Sequence, residues 1–298
     1  MKALNKEVFK TRAKTAVVYA AVMLTALFWN EWSFLVVFSV VHFGAWYEFR
    51  KLVAKMSADS SQQPVVLPIS LSFLGWGMML AATAESLDIR GYPISDAGWR
   101  LMRISIIPLL YEWYRTKGFT RKTLTWSLYG LIYVSVTLAL LINLRSGWIW
   151  GISHESTDLM NALSSFSGHL IVIVLVFTIW INDTMAYMVG SWFGKTPLSV
   201  WSPKKTWEGT LGGIVLSSGL IYLVGFLKWH ASLELLGICL VVAVSGTAGD
   251  LLESKLKRMA GVKDSGSFLP GHGGFLDRFD SILIAAPSVW LVCYLFYR

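Results

Sequence analysis

The sequence predicts an all-α, polytopic integral membrane protein with about nine transmembrane helices, and three observations indicate this fold. The 298 residues are 55% hydrophobic and 15% charged, with a mean hydropathy of +0.56, whereas soluble chains carry about 25% charged residues. Long stretches such as 124–144 contain no charge, and a helix needs ~20 mostly apolar residues to cross a bilayer. Fifteen Trp and eleven Tyr are present, several of them beside the apolar runs, as is typical of interfacial anchors.

Hydropathy divides the chain into nine apolar segments, which we interpret as the transmembrane helices. Their bounds, accurate to about four residues, are 15–29, 33–49, 66–87, 101–113, 124–144, 170–193, 211–227, 233–251 and 279–297. We expect residues 1–298 to form a single membrane domain. Within it, residues 1–169 contain few motifs, and residues 170–298 are expected to be the catalytic part.

The placement of basic residues predicts the orientation of these helices. The net charge of +8 would by itself suit a nucleic-acid partner. However, 20 of the 26 Lys and Arg residues fall in alternate loops of the nine-segment arrangement, and basic residues mark the cytoplasmic loops of membrane proteins. We therefore expect a cytoplasmic amino terminus, an outside carboxyl terminus and no nucleic-acid partner. The polar loops 194–208 and 252–278 are expected to be cytoplasmic.

The sixth apolar segment carries polar residues in its middle. Asn182, Asp183 and Thr184 follow one another there, and an Asp in a spanning helix costs about 2.5 to 3.5 kcal/mol on insertion scales. This cost favours a functional role for Asn182 and Asp183. The alternative is a helix-packing contact in which both side chains bind a neighbouring helix.

A second group of polar residues, 202–206, follows the sixth segment. Lys204 and Lys205 are adjacent and are flanked by the hydroxyls of Ser202 and Thr206. Such a group can neutralise a polyphosphate, and Thr206 is placed to cap the next helix, whose amino-terminal end favours anions. The alternative is that these lysines mark the membrane boundary and contact lipid headgroups.

A third group begins where the eighth segment ends. Asp250 closes that segment and Asp277 opens the ninth, so a helical hairpin would bring the two carboxylates to one depth. Asp277, Asp280 and Ser281 share a helix face by their spacing. Hard carboxylate oxygens are the ligands that Mg²⁺ prefers.

The basic residues Lys255, Lys257, Arg258, Lys263 and Arg278 and the glycines Gly271, Gly273 and Gly274 surround these carboxylates, and Ser254, Asp264 and His272 lie among them. The cations match the charge of a nucleotide triphosphate, and glycines let the backbone approach a ligand closely. His272 either contacts phosphate or only orients the loop. The alternative for the whole group is a solvated basic turn with ordinary salt bridges.

From Ser254 to Asp280 the chain resembles the CDP-diacylglycerol synthase (phosphatidate cytidylyltransferase) family. The matching pattern is Ser254, Lys257-Arg258, Lys263-Asp264, Pro270, His272-Gly273-Gly274, Asp277-Arg278 and Asp280. The elements at 182–184 and 202–206 are similar to family elements that occur in the same order. The resemblance is specific over residues 180–281.

The resemblance implies a homodimeric enzyme of the cell inner membrane that condenses CTP with phosphatidic acid and releases pyrophosphate. It implies Mg²⁺ as cofactor, with K⁺ as an optional second cation, and Asp250 and Asp277 as the metal ligands. We assign catalysis to Asp250, Asp277, Lys205 and Asp183. We assign substrate binding to Ser202, Lys204, Thr206, Asn182, Ser254, Lys257, Arg258, Lys263, Asp264, His272, Gly273, Arg278 and Asp280.

Two other functions stay open from the sequence. A related CTP-dependent enzyme could act on another phospholipid, and the amino-terminal half would decide this. An ion-coupled transporter could use Asp183 and Asp250 as coupling residues. Transporters usually show broken helices or internal repeats, and neither is found in the sequence.

Overall fold

The computed structural model describes residues 6–56, 66–116, 119–147, 168–268 and 273–296, and these are almost entirely helical. The prediction of an all-α chain is therefore confirmed. The helices are α1 (Lys6–Phe28), α2 (Glu31–Met56), α3 (Val66–Ala81), α4 (Ile94–Arg115), α5 (Arg121–Gly130), α6 (Thr137–Ser146), α7 (Gly168–Phe193), α8 (Trp207–Trp229), α9 (Leu233–Met259) and α10 (Leu276–Phe296). A π-helical segment, Leu131–Val136, joins α5 to α6.

Within these described ranges, six helices are long and apolar enough to cross a membrane. They are Glu31–Met56, Arg121–Ser146, Gly168–Phe193, Trp207–Trp229, Leu233–Met259 and Leu276–Leu295. Two shorter apolar helices, Ala13–Phe28 and Val66–Ala81, fall on the first and third predicted segments. Helix α4 covers the fourth predicted segment but carries charged residues along its length. The predicted count of about nine spans is thus not confirmed, whereas a multi-pass membrane protein agrees with the six helices.

The third predicted segment, 66–87, is longer than the helix that forms there. Helix α3 ends at Ala81. Just beyond this end, the hydroxyl of Thr83 donates a hydrogen bond of 2.7 Å to the carbonyl of Leu80. Such local side-chain bonds offer the backbone an alternative to the helix, which hydropathy alone does not report.

A short hairpin that was not predicted follows α3. Strand β1 (Asp88–Ile89) pairs antiparallel with β2 (Tyr92–Pro93). The two turn residues, Arg90 and Gly91, have φ angles of 54° and 81°, as a type I′ turn requires. The backbone N–H of Gly91 donates to the Asp88 carboxylate at 2.8 Å, which closes the turn.

The described residues form two compact units. One consists of the residues up to Ala139 together with Leu256–Phe279, and the other of Leu140–Lys255 together with the residues from Asp280 onwards. The predicted division at residue 169 concerns motif content and stays a prediction. Both units contribute predicted site residues.

Each unit has its own tight helix packing. In the first unit, the rings of Phe34, Phe38 and Phe279 pack in series, with centroids 4.4 and 5.8 Å apart. In the second unit, α7 and α8 approach closely, because a Cβ at Gly209 would lie 2.7 Å from the carbonyl oxygen of Ala186. This close approach holds the start of α8 against the polar part of α7.

Candidate functional site

A cavity of about 420 Å³ lies in the second unit. Its walls are formed by Asn182, Asp183, Ala186, Tyr187, Gly190, Ser191, Ser202, Lys204, Lys205, Thr206, Thr210, Thr247 and Asp250. Seven predicted site residues are in this wall: Asn182, Asp183, Ser202, Lys204, Lys205, Thr206 and Asp250. The structure therefore brings polar residues of the groups 182–184 and 202–206 together with Asp250.

Helix α7 contributes Asn182 and Asp183 to the cavity. Asn182 is 4% exposed, and its Nδ2 donates to the hydroxyl of Thr247 on α9 at 3.4 Å. The other amide atom, Oδ1, accepts no hydrogen bond from the described residues, whereas Asp183 is exposed. Asn182 thus makes the helix-packing contact that was the alternative interpretation, and its role in substrate binding stays a prediction.

The loop between α7 and α8 has a shape that is held by Glu208. The Glu208 carboxylate accepts hydrogen bonds from the backbone N–H groups of Lys195 at 3.1 Å and Thr196 at 3.2 Å, and from the Thr196 hydroxyl at 2.9 Å. The Leu198 N–H also donates to the carbonyl of Lys205 at 2.8 Å. The two lysines that line the cavity therefore stand on a fixed backbone.

Thr206 ends this loop as the N-cap of α8, as predicted. Its side chain accepts a hydrogen bond of 3.2 Å from the N–H of Gly209. A helix start carries partial positive charge and free N–H groups, which attract anions. The start of α8 therefore adds positive potential at the cavity wall.

Lys205 forms an ion pair with Asp250. Burial lowers the pKa of Lys205, but nearby carboxylates outweigh burial and hold that pKa above its usual value. These carboxylates belong to Asp250, Asp183 and Asp280. Lys205 therefore stays protonated at neutral pH and presents a cation to the cavity.

Three carboxylates of the second unit form a cluster. One oxygen from each of Asp250, Glu253 and Asp280 lies within 4.8 Å of the others. The close packing of α9 against α10 permits this, because a Cβ at Gly249 would lie 2.4 Å from the carbonyl oxygen of Asp280. Several hard oxygen donors at such distances suit a divalent cation such as Mg²⁺.

Glu253 was not predicted from the sequence. Its signal is the spacing, since Glu253 follows Asp250 by three positions on one helix and so shares its face. Asp280 is predicted for substrate binding, and the structure places it in the carboxylate cluster. The predicted pairing of Asp250 with Asp277 stays a prediction, because each residue is described within a different unit.

In the first unit, Asp277 is bound by the signature loop, defined here as the described residues 260–268 and 273–275. The ammonium of Lys257 lies 2.6 Å from Asp277 Oδ1. The other oxygen, Oδ2, accepts from the N–H and hydroxyl of Ser265, both at 2.9 Å, and from the N–H of Gly274 at 2.8 Å. Asp277 is thereby fixed in the first turn of α10, where the helix dipole favours a negative charge.

A second carboxylate reaches the signature loop from α2. Glu48 is 3% exposed, and its Oε2 accepts from the Ser265 hydroxyl at 2.8 Å and from the N–H of Leu276 at 2.9 Å. Glu48 was not predicted from the sequence. Glu48 lies one residue from the end of the predicted segment 33–49, where a charge costs less than in the middle of a span, so hydropathy gives a weaker signal for it than for Asp183.

The remaining predicted site residues differ in their contacts and in their exposure to solvent. Ser254 Oγ donates to Asp250 at 3.4 Å, and Arg258 Nη1 donates to the carbonyl of Val262 at 3.2 Å. Arg258, Lys263 and Asp264 are exposed, and Gly273 and Arg278 are half-buried. His272 lies outside the described residues. Substrate contacts of these residues stay predictions.

The chain is similar to known proteins along most of its length. Residues 10–296 match the family described as "Cytidylyltransferase family". The chain is 31% identical to a "Phosphatidate cytidylyltransferase" of Synechocystis over 94% of each protein. It is 44% identical to one of Helicobacter pylori over 43% of this chain and 48% of that protein. With one of Staphylococcus aureus the identity is 46% over 37% of this chain and 43% of that protein.

Proposed function

Because this chain belongs to the cytidylyltransferase family, we propose that it transfers a cytidylyl group from CTP to phosphatidic acid. A phosphate oxygen of phosphatidic acid forms a bond with the α-phosphorus of CTP. The bond from this phosphorus to the oxygen that bridges to the β-phosphate breaks, and the products are CDP-diacylglycerol and pyrophosphate. The chain is therefore a nucleotidyltransferase of phospholipid biosynthesis.

The cavity of the second unit supports this function. Lys204 and Lys205 line it beside the start of α8, and positive groups of this kind bind phosphate oxygens strongly. Its volume of about 420 Å³ lies within the ~300–1,000 Å³ of small-molecule sites. We assign the triphosphate of CTP to this cavity.

The carboxylate cluster supports the Mg²⁺ that the family resemblance implies. Asp250, Glu253 and Asp280 offer oxygens within 4.8 Å of one another, and carboxylate oxygens are the donors that this ion takes. We propose that these residues hold Mg²⁺, with Asp277 as the further ligand predicted from the sequence. When bound, Mg²⁺ neutralises phosphate charge and stabilises the departing pyrophosphate. K⁺ remains the proposed optional second cation.

In this reaction the protein's own side chains neutralise charge and position the reacting groups. The nucleophile is a lipid phosphate that is already anionic, so no strong base is required. The main obstacle is repulsion between two anionic substrates, and protonated Lys205 with Lys204 reduces it. The fixed loop between α7 and α8 then holds the α-phosphorus in line with the attacking oxygen.

We further propose that the protein lies in the cell membrane as a homodimer, with the amino terminus and the cavity on the cytoplasmic side. The bias of basic residues supports this orientation. CTP is a cytoplasmic substrate, and phosphatidic acid reaches the same surface from the bilayer.

Purified protein incubated with labelled CTP, phosphatidic acid and Mg²⁺ tests the proposed function. We expect a CDP-lipid and pyrophosphate in equal amounts, and we expect chelation of divalent cations to stop both. Folded protein that forms neither product under these conditions would contradict the proposed activity. A range of phospholipid acceptors in the same assay separates phosphatidic acid from another lipid substrate.

Lys205→Ala tests the nucleotide site. Removing one charged phosphate contact costs ~1.5 to 3 kcal/mol, so kcat/KM for CTP should fall roughly tenfold to a hundredfold. The KM for phosphatidic acid should change little. Lys195→Ala is the matched control, because it removes the same charge from the same loop but not from the cavity wall. An unchanged response of Lys205→Ala to CTP would leave this lysine as a boundary marker.

A further inference from the structure

Glu48 on α2 forms hydrogen bonds both to the signature loop and to the first residue of α10. Its carboxylate binds the hydroxyl of Ser265 in the signature loop and the N–H of Leu276 at the start of α10. The first four N–H groups of a helix have no partner within the helix. Glu48 supplies an acceptor to one of them from a helix that precedes it by more than two hundred positions.

Glycines of the signature loop fit closely around Glu48. A Cβ at Gly266 would lie 2.1 Å from Glu48 Oε1, and a Cβ at Gly274 would lie 2.2 Å from the same atom. A larger residue at either position would displace the carboxylate or the loop. The two glycines and Glu48 therefore form one packing unit.

Ser265 links the position of Glu48 to that of Asp277. Its hydroxyl lies 2.8 Å from Glu48 Oε2 and 2.9 Å from Asp277 Oδ2, and its N–H donates to Asp277 as well. The hydroxyl has a single proton, which the two carboxylates share, and their negative charges repel each other. The ammonium of Lys257, 2.6 Å from Asp277 Oδ1, offsets this repulsion.

We infer that Glu48 is a positioning residue for cytidylyl transfer, which acts by holding the signature loop so that Asp277 and Lys257 are presented in one fixed arrangement. Glu48 is 3% exposed and is enclosed by Ser265, Gly266 and Gly274, so it acts through the loop and not on the substrate. The inference rests on the proposed function, in which Asp277 helps to hold Mg²⁺, and on the substrate-binding role predicted for Lys257 from the sequence.

Kinetics of Glu48→Ala and Ser265→Ala test this role. Both variants should raise the KM for CTP roughly tenfold, the size expected for a lost hydrogen bond to a charged group. The KM for phosphatidic acid should stay at the wild-type value. Glu48→Gln keeps the size of the side chain and one acceptor, so it should recover part of the loss. A lower melting temperature with an unchanged KM for CTP in both Glu48→Ala and Ser265→Ala would overturn the inference.

Hydrogen exchange gives a readout that needs no turnover. The N–H groups of Ser265, Gly274 and Leu276 are bonded in this network, and their exchange should be at least tenfold faster in Glu48→Ala and Ser265→Ala. Wild-type exchange rates in both variants would overturn the inference even if the proposed function holds. Conversely, if the wild-type protein has no cytidylyltransferase activity, faster exchange still establishes the anchoring of the loop by Glu48.

Glu112 provides the matched control. It is also a fully buried carboxylate of the first unit, but its partner is Arg115 on its own helix, at 2.7 Å. Glu112→Gln therefore removes a buried charge without touching the signature loop. It should leave both the KM for CTP and the exchange of Ser265 and Leu276 unchanged. Equal effects of Glu112→Gln and Glu48→Gln on these quantities would contradict a specific role for Glu48.

Discussion

Asp250 is the residue at which the charged groups of the second unit meet. Its carboxylate pairs with Lys205, accepts from Ser254 and lies close to Glu253 and Asp280. Like charges at this distance repel one another unless a cation lies among them. The arrangement therefore suits carboxylates that share a cation, and Lys205 supplies part of the neutralising charge.

We predict that Asp250→Asn and Asp280→Asn are each nearly inactive. An amide keeps the shape of the side chain but loses the negative charge that binds a hard cation. The Mg²⁺ concentration for half-maximal activity should rise by at least the roughly 10- to 100-fold that follows from losing a residue which only supports a metal ligand. The double variant should be scarcely slower than either single variant, because losses through one shared cation do not add. Steady-state kinetics across a Mg²⁺ titration measures the turnover of the single variants, the turnover of the double variant and the Mg²⁺ requirement.

A double-mutant cycle that combines Asp250→Asn with Asp277→Asn tests whether these two residues share a cation. Non-additive losses for Asp250 and Asp277 would support the pair predicted from the sequence. Additive losses would mean that Asp277 acts only through its contacts with the signature loop. Asp96→Asn, which alters an exposed carboxylate of α4, should keep the wild-type Mg²⁺ requirement. Normal turnover and Mg²⁺ dependence in correctly inserted Asp250→Asn would contradict the cation site.

At the scale of elements, the carboxylate cluster depends on how closely α9 and α10 approach. Gly249 provides the contact point, because its absent Cβ would lie 2.4 Å from the carbonyl oxygen of Asp280 and 3.1 Å from the Cα of Ser281. Both neighbours are backbone atoms, which cannot rotate away as a side chain does. The distance between Asp250 and Asp280 is therefore set by a glycine next to one of them.

We predict that Gly249→Ala destabilises the protein by about 1–3 kcal/mol, the usual cost of overpacking, and strongly reduces activity. Thermal unfolding in detergent and the CTP assay measure the two effects. Gly237→Ala is the control on the same helix, since nothing lies within 4 Å of its Cβ position. It should be neutral or stabilising by up to about 1 kcal/mol through helix propensity. A melting temperature of Gly249→Ala equal to that of Gly237→Ala would contradict the close approach.

At the scale of the whole molecule, charge is distributed unevenly along the chain. Twenty of the 26 basic residues fall in alternate loops of the predicted arrangement, which is the pattern that orients membrane proteins. An odd number of spans places the two termini on opposite sides. Six helices of the described part of the chain qualify by length and hydropathy, so the side on which the carboxyl terminus lies is a direct test of the predicted nine.

A fusion of a reporter that is active only in the cytoplasm tests the orientation. Placed after residue 298, the reporter should give no signal, because nine spans put the carboxyl terminus outside. The same reporter at the amino terminus should be active, which controls for expression. A strong signal from the carboxyl-terminal fusion would contradict the nine-span arrangement.

The sequence by itself determined the helical architecture and the motifs that line the cavity. A helix in lipid satisfies its own backbone hydrogen bonds, so each apolar run can be interpreted locally. The Thr206 cap is local in the same sense, since its bond to Gly209 spans three positions. The end of α3 and the hairpin after it were not predicted, because they depend on single side-chain bonds and on positive φ angles at Arg90 and Gly91.

Only the tertiary structure decided which carboxylates meet and what the glycines approach. Glu48 and Ser265 are 217 positions apart, and no periodicity in the sequence indicates such a contact. The sequence suggested that the glycines of the signature loop admit a ligand, whereas in the structure Gly274 makes room for Glu48. These contacts depend on how separate helices pack, and packing is a property of surfaces that come together only when the chain has folded.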